Sequence, residues 1–190
     1  MSSPARKPRV DAERNRLRIL AAARELFTER GDEVQLPEVA RAAGVGVGTV
    51  YRHFASQREL VEAAAELRFA EIAEFAGTVC LAEAEPGQGL ARYLHHVGEV
   101  LAADRGLSAA IEAARGTAGS EPRGDARRRL ESAVAALLER DRAAGALRAD
   151  CTVGDVYLLV GALSATIRTG SGDWRRLLEI ALAGLAATTV

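Results

Sequence analysis

Residues 36–60, LPEVARAAGVGVGTVYRHFASQREL, leave a chain few folds to choose from. Leu36, Val39, Ala40 and Ala43 recur at i, i+3, i+4 and i+7, which lines apolar side chains along one face of a helix. Gly44 follows, the residue type that ends a helix in left-handed backbone. A second, shorter helix is expected over about Val47–Phe54. Val50 and Phe54, four apart, share one of its faces and with Val45 can pack on the first helix. Its remaining faces carry Val47, Gly48, Thr49, Tyr51, Arg52 and His53. Small residues, hydroxyls and one guanidinium are an odd set for a plain surface helix. They suit a helix laid in a DNA major groove.

The flanking residues fit such a unit. Ile19, Leu20, Ala23, Leu26 and Phe27 form the buried stripe of a helix expected over about Asp11–Arg30, with Gly31 ending it. At the start of the motif, Gln35 and Leu36 sit where backbone N–H groups lack helical partners and can meet a phosphate. Glu38 stands at the acid position of a capping box, and Pro37 fits a first turn. Gly46 falls near the N-cap of the short helix. Gly48 lies inside it at a cost of about 1 kcal/mol relative to Ala, which points to close backbone approach. Ser56 with Glu59 forms a second capping box, opening a further helix.

Three runs together, ILAAARELFTERG at 19–31, VARAAGVGVGTVYRHF at 39–54 and SQREL at 56–60, resemble the helix-turn-helix of TetR-family transcriptional regulators. The resemblance covers about the first third of the chain. It implies an all-α fold: an N-terminal three-helix DNA-binding domain and a C-terminal helical ligand-binding and dimerisation domain. It implies that Thr49, Tyr51 and His53 contact phosphates and that Val47, Gly48 and Arg52 face bases. Arg52 is the one of these able to make a bidentate contact to guanine. Gln35, Leu36, Ser56, Gln57 and Arg58 complete the expected DNA-contacting set. Two positions depart from the family pattern, which often has Thr or Pro where Gln35 stands and Lys where Gln57 stands. Arg58 carries a charge one residue further on.

Charge distribution agrees with a DNA-facing head. Residues 1–60 hold 11 Lys/Arg and 8 Asp/Glu, and the remainder 14 and 18, so a slightly basic head joins an acidic body. Pro4, Pro8, two serines and Arg6, Lys7 and Arg9 make residues 1–10 read as a disordered basic arm. No apolar run approaches the ~20 residues that span a bilayer, and no apolar core follows the basic start, so a cytoplasmic protein without membrane association is expected. Cys80 and Cys151 match no metal or redox spacing. His95 and His96 are adjacent, about 100° apart on a helix, and poorly placed to share a metal. No metal or other cofactor is expected. Nor is enzymatic activity, since nucleophile elbow, phosphate-cradling glycine loop and zinc spacing are all missing.

The body, residues 57–190 after a head at 11–56, reads as successive helices with breaks at EAEPGQG (83–89), GTAGSEPRG (116–124) and TGSGD (169–173). Its last two helices are apolar on more than one face and carry small residues, a composition suited to close packing between subunits. Val160, Gly161, Leu163, Ile167, Leu178, Leu182 and Leu185 are the expected interface. The resemblance implies a homodimer whose two heads read a palindromic operator in double-stranded DNA, with an unknown small-molecule effector as the other partner. The resemblance also implies a ligand pocket in the body, with Leu67, Phe75, Tyr93, His96, Tyr157 and Trp174 as candidate wall residues, all but Leu67 being aromatic or polar groups on apolar helices. The alternative is a helical protein–protein interaction module that no longer reads DNA.

Overall fold

The computed structural model describes residues 6–117 and 119–187. The chain is helical: α1 (Arg6–Arg30), a 3₁₀ turn (Gly31–Glu33), α2 (Leu36–Ala42), α3 (Val47–His53), α4 (Gln57–Phe75), a π-helical segment (Ala76–Glu83), α5 (Gly89–Ala103), α6 (Arg105–Arg115), α7 (Gly124–Ala143), α8 (Val153–Thr169) and α9 (Trp174–Leu185). The one β-type pairing among the described residues is an isolated antiparallel bridge between Leu147 and Ala186.

The first helix begins at Arg6, not at the expected Asp11. Pro8 therefore falls in the first turn, where a missing N–H breaks no helical hydrogen bond, so it does not delay the helix. The rest of the expected arm, residues 1–5, lies outside the described residues.

The chain divides into two compact units, and neither border falls at the expected 56/57. One comprises residues 1–65 and 106–118, the other residues 66–105 and 119–190. The first unit thus takes in most of α6. A glycine permits this: a Cβ at position 106 would lie 2.5 Å from the Thr28 carbonyl oxygen and closer still to that of Phe27. Only a residue without a side chain lets α6 approach the end of α1 so closely. Arg115, near the end of α6, holds Glu62 of α4 with two hydrogen bonds, at 2.9 and 2.8 Å. The core of this unit contains Ile19, Ala23, Phe27, Val39, Val50, Phe54, Leu60, Leu107 and Ile111.

In the second unit, two adjacent residues of α7 organise one corner. Arg140 donates to the carbonyls of Cys80 (3.1 Å), Leu81 and Ala84, satisfying the last turn of the π-helical segment. Asp141, buried, accepts from the N–H groups of Gly87 (3.1 Å), Gly89 (3.3 Å) and Leu90 (2.8 Å) at the start of α5. The cation thus meets a carbonyl-rich helix end and the anion an amide-rich one, the favourable sense at each. Charged side chains on backbone partners contribute about 1.5–3 kcal/mol per hydrogen bond. Neighbouring Cys80 is fully buried, and burial pushes its thiol pKa up to about 11.

Candidate nucleic-acid interface

The reading unit is built from α2, the turn after it and α3. The α2 helix ends in a Schellman motif: Gly44 N–H donates to the Arg41 carbonyl (3.1 Å) and Val45 N–H to that of Ala40 (3.0 Å). Gly44 takes the required left-handed backbone, with φ +62°. Arg18 of α1 braces the turn, its Nη2 donating to the Gly44 carbonyl at 3.4 Å. Val50 and Phe54 are fully buried, so the rest of α3 has one orientation. The helix ends at His53, with Phe54 as its extended C-cap.

Of the expected set, α3 turns Val47, Gly48, Tyr51 and Arg52 outward, while Thr49 is half-buried. Val47 is 41% and Tyr51 52% exposed, unusual for large apolar side chains on a water-facing helix. At Gly48 an added Cβ would meet nothing within 4 Å, so its backbone lies open. Arg52 is exposed, and its Nη2 donates to Thr49 Oγ1 at 3.1 Å. His53 is half-buried beside Phe54, with ring centroids 6.4 Å apart.

The flanks are more engaged than the sequence indicates. Gln35 N–H donates to Glu38 Oε2 at 2.9 Å, closing one arm of the expected capping box. Arg30 grips the same carboxylate at 2.8 and 3.1 Å. The Arg30 hydrogen bond, then that of the Gln35 backbone, holds the Glu38 carboxyl below its ordinary range. The Leu36 side chain is buried, which leaves its backbone as the part that can face a phosphate. Ser56 Oγ accepts from Glu59 N–H at 3.2 Å and caps α4, while Glu59 Oε2 accepts from Ala55 N–H at 2.7 Å. Gln57 reaches back toward the start of the motif, Nε2 donating to the Asp32 carbonyl at 2.9 Å. Arg58 is exposed. Sequence reasoning missed Arg16 and Arg18. The Arg16 guanidinium lies 4.8 Å from the centroid of the Phe54 ring, and no periodicity marks either residue.

The candidate ligand residues lie in different surroundings. Phe75 and His96 stack on each other with centroids 3.7 Å apart and planes 14° off parallel. Burial lowers the His96 pKa against the opposing pull of Glu71. Tyr93 is buried, and desolvation raises its pKa, with Tyr157 and Cys80 nearby adding to the rise. Trp174 is a core residue seated on Gly98, where a Cβ would come within 2.7 Å of its Cε3. Leu67 is half-buried on α4. Tyr157 lines an open groove of about 660 Å³ between α7 and the start of α8, with Arg127, Arg128, Glu131 and Ser132 on its rim.

The expected interface residues also sort differently. Leu163, Ile167 and Leu178 are buried within the chain and belong to its own core. Val160, Leu182 and Leu185 are half-buried, and Gly161 is exposed. The outward stripe consists instead of Leu158 (74% exposed), Gly161, Ala162 and Ala165 on α8, and Ile180 (57% exposed), Ala183 and Gly184 on α9. Both faces of α8 and α9 are apolar, so periodicity does not separate the residues of the chain's own core from those of the exposed stripe. No helix among the described residues is long and apolar enough to cross a membrane.

Comparison with known proteins bears on both halves of the chain. Residues 19–64 match the model for bacterial regulatory proteins of the tetR family, and residues 85–187 match the SbtR-like transcriptional regulator C-terminal domain. A TetR transcription regulatory protein from Mycobacterium vanbaalenii is 33% identical, with 94% of this chain and 99% of that one aligned at a TM-score of 0.69. A TetR transcriptional regulator from Streptomyces coelicolor is 35% identical over 92% of this chain and 99% of its own, at a TM-score of 0.68. An HTH-type transcriptional regulator of Staphylococcus aureus is 41% identical over 66 residues, 33% of this chain. That match spans about a third of the relative's length, 34%. With both halves matched, and whole-length likeness above 30% identity, the chain belongs to the TetR family of transcriptional regulators and carries that family's DNA-binding helix-turn-helix.

Proposed function

We propose that this regulator is a cytoplasmic repressor that binds a palindromic operator as a homodimer and is released by a small-molecule effector. The observation that carries the reading is the division of α3. Val50 and Phe54 are sunk in the core, while Val47, Gly48, Tyr51 and Arg52 stand outward with Thr49 orienting the guanidinium. On this reading Arg52, Val47 and the open backbone of Gly48 meet base edges. Thr49, Tyr51 and His53 meet phosphates and fix the register.

One seven-residue helix covers few base pairs, so selective reading needs two heads about 34–36 Å apart on one DNA face. The small-residue stripe on α8 and α9 supports pairing of two copies, which makes the operator palindromic. Effector release follows from population shift: a ligand that binds one state of the second unit more tightly draws the dimer out of operator register. A coupling of about 1–3 kcal/mol changes operator affinity some 5- to 150-fold.

The test is footprinting on DNA upstream of the protein's own gene, then titration at two salt concentrations. Protection of a palindrome, with affinity falling steeply as salt rises, is the expected result. Binding unchanged by both Tyr51→Phe and Arg52→Ala would overturn the residue assignment. If selection from random DNA also yields no preferred sequence, the proposed function fails.

A further inference from the structure

We infer that Gln57 is a positioning residue for DNA reading and not a phosphate contact. It rests on the proposed operator binding and refines it. Gln57 opens α4 directly after the link from the reading helix, and its amide nitrogen is bound to the Asp32 carbonyl at 2.9 Å. Asp32 lies in the 3₁₀ turn Gly31–Glu33, which leads into α2. One side chain therefore ties the exit of the helix-turn-helix to its entrance, across 25 residues of sequence.

Neither end of this tie is loose. On the entrance side, Arg30 and the Gln35 N–H converge on Glu38, holding the residues just before and after the 3₁₀ turn together. On the exit side, Ser56 Oγ caps α4 while Glu59 Oε2 takes the Ala55 N–H. The Gln57 bond cross-links these two braces. With α3 bracketed by them, the angle at which it stands is set before DNA arrives. A neutral amide serves here because a carbonyl is its partner and no charge needs desolvating. The positive charge at this end of α4 is on Arg58, which is exposed.

Salt dependence separates positioning from contact, because each phosphate neutralised by a cation steepens the log–log slope by about 0.9 per head. The full-length protein is titrated onto its selected operator as the unsubstituted chain, Gln57→Ala, Gln57→Lys and Arg58→Ala. Hydrogen exchange of residues 31–34 is followed in each, without DNA. The expected results are these. Gln57→Ala weakens binding about three- to tenfold with the slope unchanged, because fewer heads stand in the reading orientation. It also speeds exchange of residues 31–34. Gln57→Lys leaves the slope unchanged, and Arg58→Ala flattens it. A steeper slope in Gln57→Lys would overturn the inference, since the side chain would then be reaching a phosphate. Unaltered exchange and affinity in Gln57→Ala would overturn it as well. If the unsubstituted chain itself selects no operator, the proposed function falls and takes this role with it. A steeper slope in Gln57→Lys on a chain that does bind removes this role alone.

Discussion

The Arg52 guanidinium donates to Thr49 Oγ1 at 3.1 Å, one turn back along the exposed face of α3. The longest side chain of the reading surface is thus partly oriented in the free protein, which reduces the rotamer entropy lost when it meets a base. Replacing Arg52 by Ala should cost about 1–3 kcal/mol at the base it reads and relax preference at that position. Thr49→Val should cost less and leave the preferred base unchanged. Affinities on the selected operator and its single-base variants check this. Uniform weakening across all variants in Arg52→Ala would reassign the residue to a phosphate.

Gly98 and Trp174 make a second exacting pair, since any side chain at position 98 would run into the indole ring. Gly98→Ala should destabilise the protein by about 1–3 kcal/mol through overpacking. For a chain of this size each kcal/mol lowers Tm by roughly 2–4 °C. Trp174→Ala alone should cost more, about 3–5 kcal/mol. In the Trp174→Ala background, however, Gly98→Ala should be neutral or stabilising, because Ala is the better helix former by about 1 kcal/mol. The cycle is read in urea midpoints. Simple additivity would mean that the ring and the glycine do not meet.

A pH effect follows from the stack of His96 on Phe75. Burial lowers the His96 pKa in the fold, so between that value and the unfolded one, near 6.5, the unfolded chain binds more protons. The contribution is complete above about pH 6.5 and is lost as pH falls through the folded value. Glu38 and Asp155 are also depressed, by their hydrogen bonds to Arg30 and Thr152, but they lose their contributions only on descent from the ordinary carboxylate range. The two windows are therefore distinct. Denaturation midpoints from pH 8 to pH 5.5 should fall in the unsubstituted chain and fall less in His96→Gln. Equal losses in both would place the effect elsewhere.

How far these features are legible in the sequence depends on the distance over which they are determined. The head reads well because its signals are local. Gly44 sits where a Schellman turn needs left-handed backbone, and Ser56 and Glu59 stand three apart at a helix start. Val50 and Phe54 share a face four apart. The Arg140–Asp141 corner is unreadable for the opposite reason. Its partners are backbone groups more than 50 residues away, and an arginine and an aspartate on an amphipathic helix look like solvated surface. The inclusion of α6 in the first unit depends on Gly106, which resembles any other helix-breaking glycine until Phe27 and Thr28 are seen beside it. Gln57 lies between these cases: its position marks it as important, and only the direction of its amide separates positioning from contact.

The proposed homodimer can be tested on the face that sequence periodicity failed to separate. Leu158 and Ile180 are exposed apolar side chains, and Gly161 and Gly184 have nothing within 4 Å of an added Cβ. Two such faces can approach closely enough for backbone-level packing, and burying one leucine-sized side chain contributes about 1.5–3 kcal/mol. A symmetric interface uses every residue twice, so one substitution acts at two places. Leu158→Glu or Ile180→Glu should therefore shift the protein to monomer in sedimentation while leaving helical content unchanged, because neither side chain belongs to the chain's own core. Leu163→Ala and Leu178→Ala should act in the other sense, costing about 2–5 kcal/mol of fold stability as buried leucines do. Operator affinity should collapse in the two Glu variants, since a single head cannot span two half-sites. If Leu158→Glu and Ile180→Glu both remain dimeric, the subunits pair through some other face. If they become monomers yet bind the operator as tightly as before, the palindrome is not read by two heads at once.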